Sequence, residues 1–192
     1  MRVIAGSAGG IQLDVPKSGV RPTMDRVKAA IFSSLADHVV GADVLDLFAG
    51  SGALGIEALS RGAASAFFVE QDRQSIATIE KNLSKTKLIG RVRHQEVFEF
   101  LKRAAPEQTF RIIFADPPYE QGPSGERFTE KLLANETLAR LLEPNGLFVL
   151  EKRPAEKIPD TDLWKVVREK TYGATEVLFL AAVAPAIPET RP

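Results

Sequence analysis

The sequence predicts a doubly wound α/β domain with a mainly parallel sheet, and three observations carry that prediction. Apolar runs of strand length alternate with helical patterns through most of the 192 residues. A glycine-rich turn follows the strand-like run 43–48, at the point where a strand would hand over to a helix. The last two strand-like runs flank Gly173-Ala174 and would close the sheet as an antiparallel hairpin.

"RVIAG" and "IQLDV" read as a small β-hairpin around Gly9-Gly10, within an extension covering residues 1–20. "RPTMDRVKAAIFSSLADH" reads as a helix with Thr23 as N-cap, Asp25 in its first turn and Val27, Ile31 and Leu35 repeating every fourth residue. There follow "DVLDLF" (strand), "ALGIEALSRG" (helix), "SAFFVE" (strand), "RQSIATIEKNLSKT" (helix), "RVRHQ" (strand) and "VFEFLKRA" (helix). "RIIFA" and "GLFVLE" are strands on either side of one helix, "FTEKLLANETLARLL". "LWKVVREKTY" and "TEVLFL" form the closing hairpin. Residues 1–183 are expected to form one domain, and 184–192, with three prolines, a disordered tail.

Composition excludes several classes of function. The chain is 44% apolar and 26% charged, the mix of an ordinary globular protein. Twenty-five basic residues balance 25 acidic ones, so any nucleic-acid role must rest on local patches. There is no cysteine, and His38 and His94 stand alone, so no metal site is expected. No signal-peptide pattern opens the chain. The most apolar stretch, 177–187, is about half a membrane span and contains Pro185, so a cytoplasmic protein is expected.

Ligands of such sheets bind where strands end. "LDLFAGSGALG" holds Gly50, Gly52 and Gly55 in the dinucleotide spacing G-x-G-x-x-G, with Glu70 about 20 residues on. Alone, that pattern suggests NAD. Asp46, four residues before the first glycine, argues otherwise. An acid there suits a cationic ligand better than a pyrophosphate. S-adenosylmethionine carries an ammonium and a sulfonium and no phosphate. Glu70 suits ribose hydroxyls in either case, and Asp46 could instead merely cap the loop.

The second candidate is "ADPPY". The residue before a proline is driven to extended geometry, which holds Asp116 and Pro117 out from the strand end. Proline has no N–H, so Pro117 presents only a carbonyl, and ionised Asp116 is an acceptor too. Two adjacent acceptors suit a planar amino group with two hydrogens. Tyr119 offers a face on which a flat ring can stack. The loop therefore looks built for the exocyclic amine of an aromatic base. Holding both hydrogens aims the amine's lone pair at a methyl donor. A loop merely stiffened by Pro-Pro, with Tyr119 in the core, is the bland alternative.

"LDLFAGSGALGIEALSRGA" together with "DPPY" resembles the S-adenosylmethionine-dependent methyltransferases that act on exocyclic amines of nucleic-acid bases. "RVIAG", "RPTMDRVKAAIF" and "REKTYGATEVLFL" narrow the resemblance to RsmD-type 16S ribosomal RNA guanine-N2 methyltransferases, over residues 2–180. The resemblance implies a Rossmann-like class I methyltransferase fold and S-adenosyl-L-methionine as cofactor. It implies Asp46, Phe48, Ala49, Gly50 and Gly52 around the methionine moiety and Glu70 at the ribose. Glu96 stands where the family usually has Asp or Asn facing the adenine amine. Thr23 and Arg26 belong to the segment that closes over the cofactor, and Asp116, Pro117 and Tyr119 to the catalytic loop. The implied partner is 16S ribosomal RNA, within an assembled or late small subunit, met by a monomer without metal or membrane.

One departure stands out. Ala8, Gly9, Ile11 and Gln12 occupy positions where the family's first hairpin usually carries aromatic and basic residues. The remaining candidates for phosphate contact are scattered: Arg21, Arg26, Lys28, Arg127, Lys131, Lys152 and Arg153. Two other readings stay open, an amino-methyltransferase acting on another base or a protein amide, and a non-catalytic RNA-binding or assembly factor on the same scaffold.

Overall fold

A computed structural model describes residues 1–16, 25–118, 127–154, 156 and 158–183. Seven strands form one sheet in the order β3-β2-β1-β4-β5-β7-β6. β1 (Asp43–Leu47), β2 (Ser65–Glu70), β3 (Arg91–His94), β4 (Phe110–Ala115) and β5 (Leu142–Lys152) run parallel. β7 (Thr175–Ala182) pairs antiparallel with β5 and with β6 (Trp164–Tyr172), as the closing hairpin requires.

Side chains alternate across each strand, and the two faces hold two cores. On one face Val44, Ile112, Phe114 and Val149 pack with Ile31 and Phe32 of α1 (Asp25–Leu35), Ile56 of α2 (Ala53–Ser60) and Ile79 of α3 (Arg73–Thr86). On the other, Leu45, Leu47, Ile113 and Leu150 pack with Leu101 of α4 (Val97–Arg103), Leu132 of α5 (Phe128–Leu133) and Leu138 of α6 (Glu136–Leu141). Helices on both faces of a largely parallel sheet make the predicted doubly wound fold.

Two local expectations change. The single helix expected over 128–142 is two, because the Asn135 side chain accepts from the Leu138 N–H and starts α6 afresh. The first helix ends at Leu35 and continues only as a 3₁₀ turn, Ala36–Val39. The expected N-terminal hairpin forms around one antiparallel bridge, Arg2 to Gln12, with the N–H groups of Val3, Gly10 and Leu13 donating across it to the carbonyls of Ile11, Val3 and Met1. Other N–H groups of the arm reach α2. Those of Ile4 and Ala5 donate to the Glu57 carboxylate, and those of Ser7 and Ala8 to the Ser60 carbonyl and hydroxyl. The arm is thus laced both to itself and to α2. The contact is so close that a Cβ on Gly6 would lie 1.8 Å from the Ser60 carbonyl oxygen.

Thr23 and Tyr119, and the expected tail 184–192, lie outside the described residues.

Candidate active site

The site is built on the C-terminal ends of β1, β2, β4 and β5. Asp46, Glu70 and Glu151 each follow, by two residues, an apolar residue that packs under α1–α3 (Val44, Phe68, Val149). Alternation therefore puts all three acids on that face. Asp116, two residues past Phe114 and just beyond β4, continues the same row.

The glycine turn shapes the first part. Phe48, Gly50 and Gly52 all have positive φ, at 56°, 55° and 76°. This conformation is ordinary for glycine and costly for phenylalanine. The kinked backbone lets the Gly50 N–H donate to Glu70 Oε2 at 2.8 Å, which ties the turn to the end of β2. Glu70 Oε1 accepts from the N–H groups of Gln71 and Asp72. The third glycine has a separate reason. A Cβ on Gly55 would lie 2.3 Å from the Phe68 ring and 3.1 Å from Asp46 Oδ2. Its absence lets α2 sit against the sheet with the Gly55 N–H donating to Asp46 at 2.9 Å.

Asp46 thus does cap the first turn of α2, as the bland reading had it, but with no cation recorded beside it. Burial, more than offsetting the Gly55 hydrogen bond, and then the nearby Asp116 and Glu70 carboxylates push its carboxyl up to about 8. Glu151 is in a similar position. It is 3% exposed, its Oε1 has no hydrogen-bond partner, and burial with the Asp116 and Asp46 carboxylates holds it well above the usual carboxylate range.

A pocket of about 360 Å³ opens beside the turn, lined by Phe48, Gln71, Glu96, Phe98, Phe128 and Lys131. Phe98 and Phe128 are within 10° of parallel with centroids 6.3 Å apart, and Phe48 meets Phe128 edge-on at 5.4 Å. The Lys131 ammonium lies 5.7 Å and 5.9 Å from the two parallel rings. Glu96 is the N-cap of α4, taking the Phe98 and Glu99 N–H groups, one on each oxygen. A carboxylate has about four acceptor sites, so capacity remains toward the pocket.

The structure therefore brings Asp46, Phe48, Ala49, Gly50, Gly52 and Glu70 together around one turn, joins Glu96 to it through the pocket, and sets Asp116 and Pro117 beside Asp46 across the β1–β4 pairing. Asp116 is partly buried, Pro117 buried and Pro118 exposed. Arg26 is exposed on the first turn of α1, and no recorded contact joins it to this group. Glu151, Phe98 and Phe128 were not singled out from the sequence. The available signal for Glu151 was that "GLFVLE", like "SAFFVE", carries an acid at the end of an apolar run.

Two of the basic residues considered for RNA are neither docking groups nor solvated charges. Lys28 and Glu57 form a fully buried pair at 3.1 Å, with the Lys28 ammonium also donating to the Arg2 carbonyl. Lys152 is buried against Glu176 at 2.9 Å. Among the described residues no cluster of acids and histidines could hold a metal ion, and no helix is long and apolar enough to cross a membrane.

Comparison with known proteins supplies the family. The chain is 39% identical to ribosomal RNA small subunit methyltransferase D of Escherichia coli K12 over 182 residues, 90% of this chain and 85% of that one. A solved Thermus thermophilus protein described as hypothetical superposes with a TM-score of 0.80 at 32% identity, covering 95% of this chain and 99% of its own. The 16S rRNA N2 G1207 methyltransferase of T. thermophilus, solved with AdoMet and guanosine, gives a TM-score of 0.64 at 25% identity, over 88% of this chain and 45% of that one. The family model described as conserved hypothetical protein 95 matches residues 1–181, and the chain belongs to that family, the RsmD-type methyltransferases.

Proposed function

We propose that the protein transfers a methyl group from S-adenosylmethionine to the exocyclic N2 amine of a guanine in 16S ribosomal RNA. The observation that carries this reading is the adjacency of two acceptor-rich strand ends. Asp46 lies under the glycine turn on β1, and Asp116-Pro117 lies beyond the neighbouring β4. The cofactor fits the donor set, since buried acids without a recorded cation suit its ammonium and sulfonium, and the aromatic pocket suits its adenine. Asp46 and the turn from Phe48 to Gly52 would hold the methionine end, Glu70 the ribose hydroxyls, and Glu96 the adenine amine. When bound, the cofactor supplies an electrophilic methyl group on a sulfonium.

The rest is the work of this chain's own residues. The Asp116 carboxylate and the Pro117 carbonyl accept the two N–H groups of the guanine amine, whose lone pair is otherwise delocalised into the ring. Pyramidal geometry is favoured and the lone pair is aimed, so catalysis is positioning and electrostatics. The methylated amine is acidic and loses its proton readily, so Asp116 need not be a strong base. Tyr119 gives the base a face to stack on. By the family resemblance, Thr23 and Arg26 would contribute to the cofactor site.

The target base must leave its stack to reach a strand-end loop. With Lys28 and Lys152 buried, five of the seven scattered candidates remain for phosphate, and Ala8, Gly9, Ile11 and Gln12 of the first hairpin add none, so naked RNA is bound weakly and with a shallow salt dependence. We read residues 1–183 as one cytoplasmic, monomeric, metal-free domain whose substrate is an assembled or late small subunit. Labelled S-adenosylmethionine, undermethylated particles and RNA extracted from them test this. N2-methylguanosine should appear on nucleoside mass spectrometry, with particles the better substrate. A different methylated base, or cofactor binding without transfer, would refute the assignment.

A further inference from the structure

Among the buried polar groups near the site, Glu151 has no role in the chemistry above and, among the described residues, no recognised partner for its Oε1. It lies near the C-terminal end of β5, 3% exposed, with Oε1 accepting nothing. Its neighbour in sequence offers no counter-ion. Lys152 points to the opposite face by strand alternation and is taken up by Glu176. The charged groups recorded as acting on Glu151 are both acids, Asp116 and Asp46. Opposite it on β7 stands Val177, which is apolar and buried. An unpartnered buried carboxyl costs stability, so its presence calls for a ligand that pairs with it.

Register says where that ligand lies. Ala115 of β4 pairs with Leu150 of β5, so Asp116 and Glu151 are the next residues out on adjacent parallel strands, about 4.8 Å apart in backbone. An amine held by Asp116 would therefore have Glu151 at the next position across the sheet.

We propose that Glu151 is a specificity residue that reads the N1–H and O6 edge of the target guanine; this rests on the guanine N2 reading above. In guanine the ring atom beside the amine is N1–H, a donor, followed by O6, an acceptor. The corresponding ring nitrogen of adenine or cytosine is an acceptor. A Glu151 carboxyl oxygen accepts N1–H in either charge state. The protonated form, favoured by the surrounding acids, also donates its O–H to O6 and makes a two-point pair. Cytosine would set a lone pair of O2 against the carboxyl, and adenine offers only C2–H there. Guanine alone satisfies both oxygens.

The test uses reconstituted small-subunit particles carrying either guanine or 2-aminopurine at the position the wild-type protein methylates. 2-Aminopurine keeps the N2 amine and lacks both N1–H and O6. The wild type should prefer guanine by roughly tenfold or more. Glu151→Leu should bring that ratio near unity, with cofactor affinity unchanged by calorimetry and the thermal midpoint unchanged or raised. Glu151→Gln, whose amide both accepts and donates, should keep the preference. Equal wild-type rates on the two bases would overturn the proposal, as would a preference that survives Glu151→Leu. A Glu151→Leu protein that unfolds would also overturn it, because the acid would then be structural. A wild type that methylates no guanine at all would instead remove the functional reading on which the proposal stands.

Discussion

The molecule buries acids in two ways. Glu57 and Glu176 sit in the fold's joints, and each has a lysine within 3.1 Å. Glu57 also takes the Arg61 guanidinium and two backbone N–H groups of the N-terminal arm. Asp46 and Glu151 sit at the strand ends, equally buried, and have at most a backbone N–H and other acids. Both pairs are buried, and the difference is that among the described residues no cation stands beside the strand-end acids. Where an acid fastens the fold, the sequence supplies the counter-charge. At the strand ends, on the function proposed above, the partner is left to the ligand: the cofactor's cation for Asp46 and the guanine edge for Glu151.

The largest expected effect breaks the site half of that contrast. On the mechanism proposed above, Asp116→Ala removes one of the two acceptors that would aim the amine and leaves the glycine turn untouched. Turnover should fall roughly a hundred- to a thousandfold, while S-adenosylmethionine affinity by calorimetry stays near the wild-type value. A comparable loss of cofactor affinity would show that Asp116 belongs to the cofactor site rather than to the base site.

The next effect breaks the structural half. Lys28→Met leaves Glu57 with Arg61 and the arm but without its buried ammonium, and strands the Arg2 carbonyl. Chemical denaturation should show a loss of about 3 kcal/mol, the scale of breaking a buried pair from one side. A loss confined to RNA affinity, with stability intact, would return Lys28 to the docking surface.

A third effect sharpens the comparison through pH. The folded Asp46 carboxyl is raised from 3.8 to about 8, so the folded chain holds a proton there that the unfolded chain has lost. Its contribution to stability is full below about 3.8 and disappears as pH rises through about 8. A cationic ligand favours the ionised form, so binding below pH 8 must expel the proton. Cofactor affinity should therefore climb toward pH 8, by at most tenfold per pH unit. Calorimetry in buffers of different ionisation enthalpy should register proton release, and Asp46→Asn should abolish it. No release would mean that Asp46 is already charged.

What the sequence revealed of this site follows how local each signal is. The glycine turn, Asp46, Glu70 and Asp116-Pro117 are legible because neighbours along the chain define them: a turn needs its glycines in order, and a proline constrains the residue before it. The strand-helix alternation is legible for the same reason. Glu151 is not, because its meaning depends on the β4–β5 register that sets it beside Asp116. Phe98 and Phe128 are 30 residues apart and meet only after α4 and α5 dock. Lys28 looks like any basic residue on an amphipathic helix until the arm folds back and Glu57 reaches it. The break at Asn135 was available as an N-cap inside a helical pattern, and the continuous apolar spacing on either side concealed it.

The smallest expected effect concerns a lysine at the site itself. Lys131 lies at the aromatic pocket, with its ammonium over the Phe98 and Phe128 faces. If the contrast between fastening acids and site acids holds, Lys131 acts on the pocket through the rings and leaves the charge of Asp46 unchanged. A cation over an exposed ring contributes about 0.5–1 kcal/mol. Lys131→Ala should thus weaken cofactor binding by only about two- to fivefold, through a looser pocket. The pH dependence set by Asp46 should be unchanged, because no charge beside Asp46 has been removed. The two readouts separate cleanly in one calorimetric series across pH. If Lys131→Ala shifts the pH at which proton release fades, Lys131 is an electrostatic partner of Asp46, and the strand-end acids are less bare than the fold makes them.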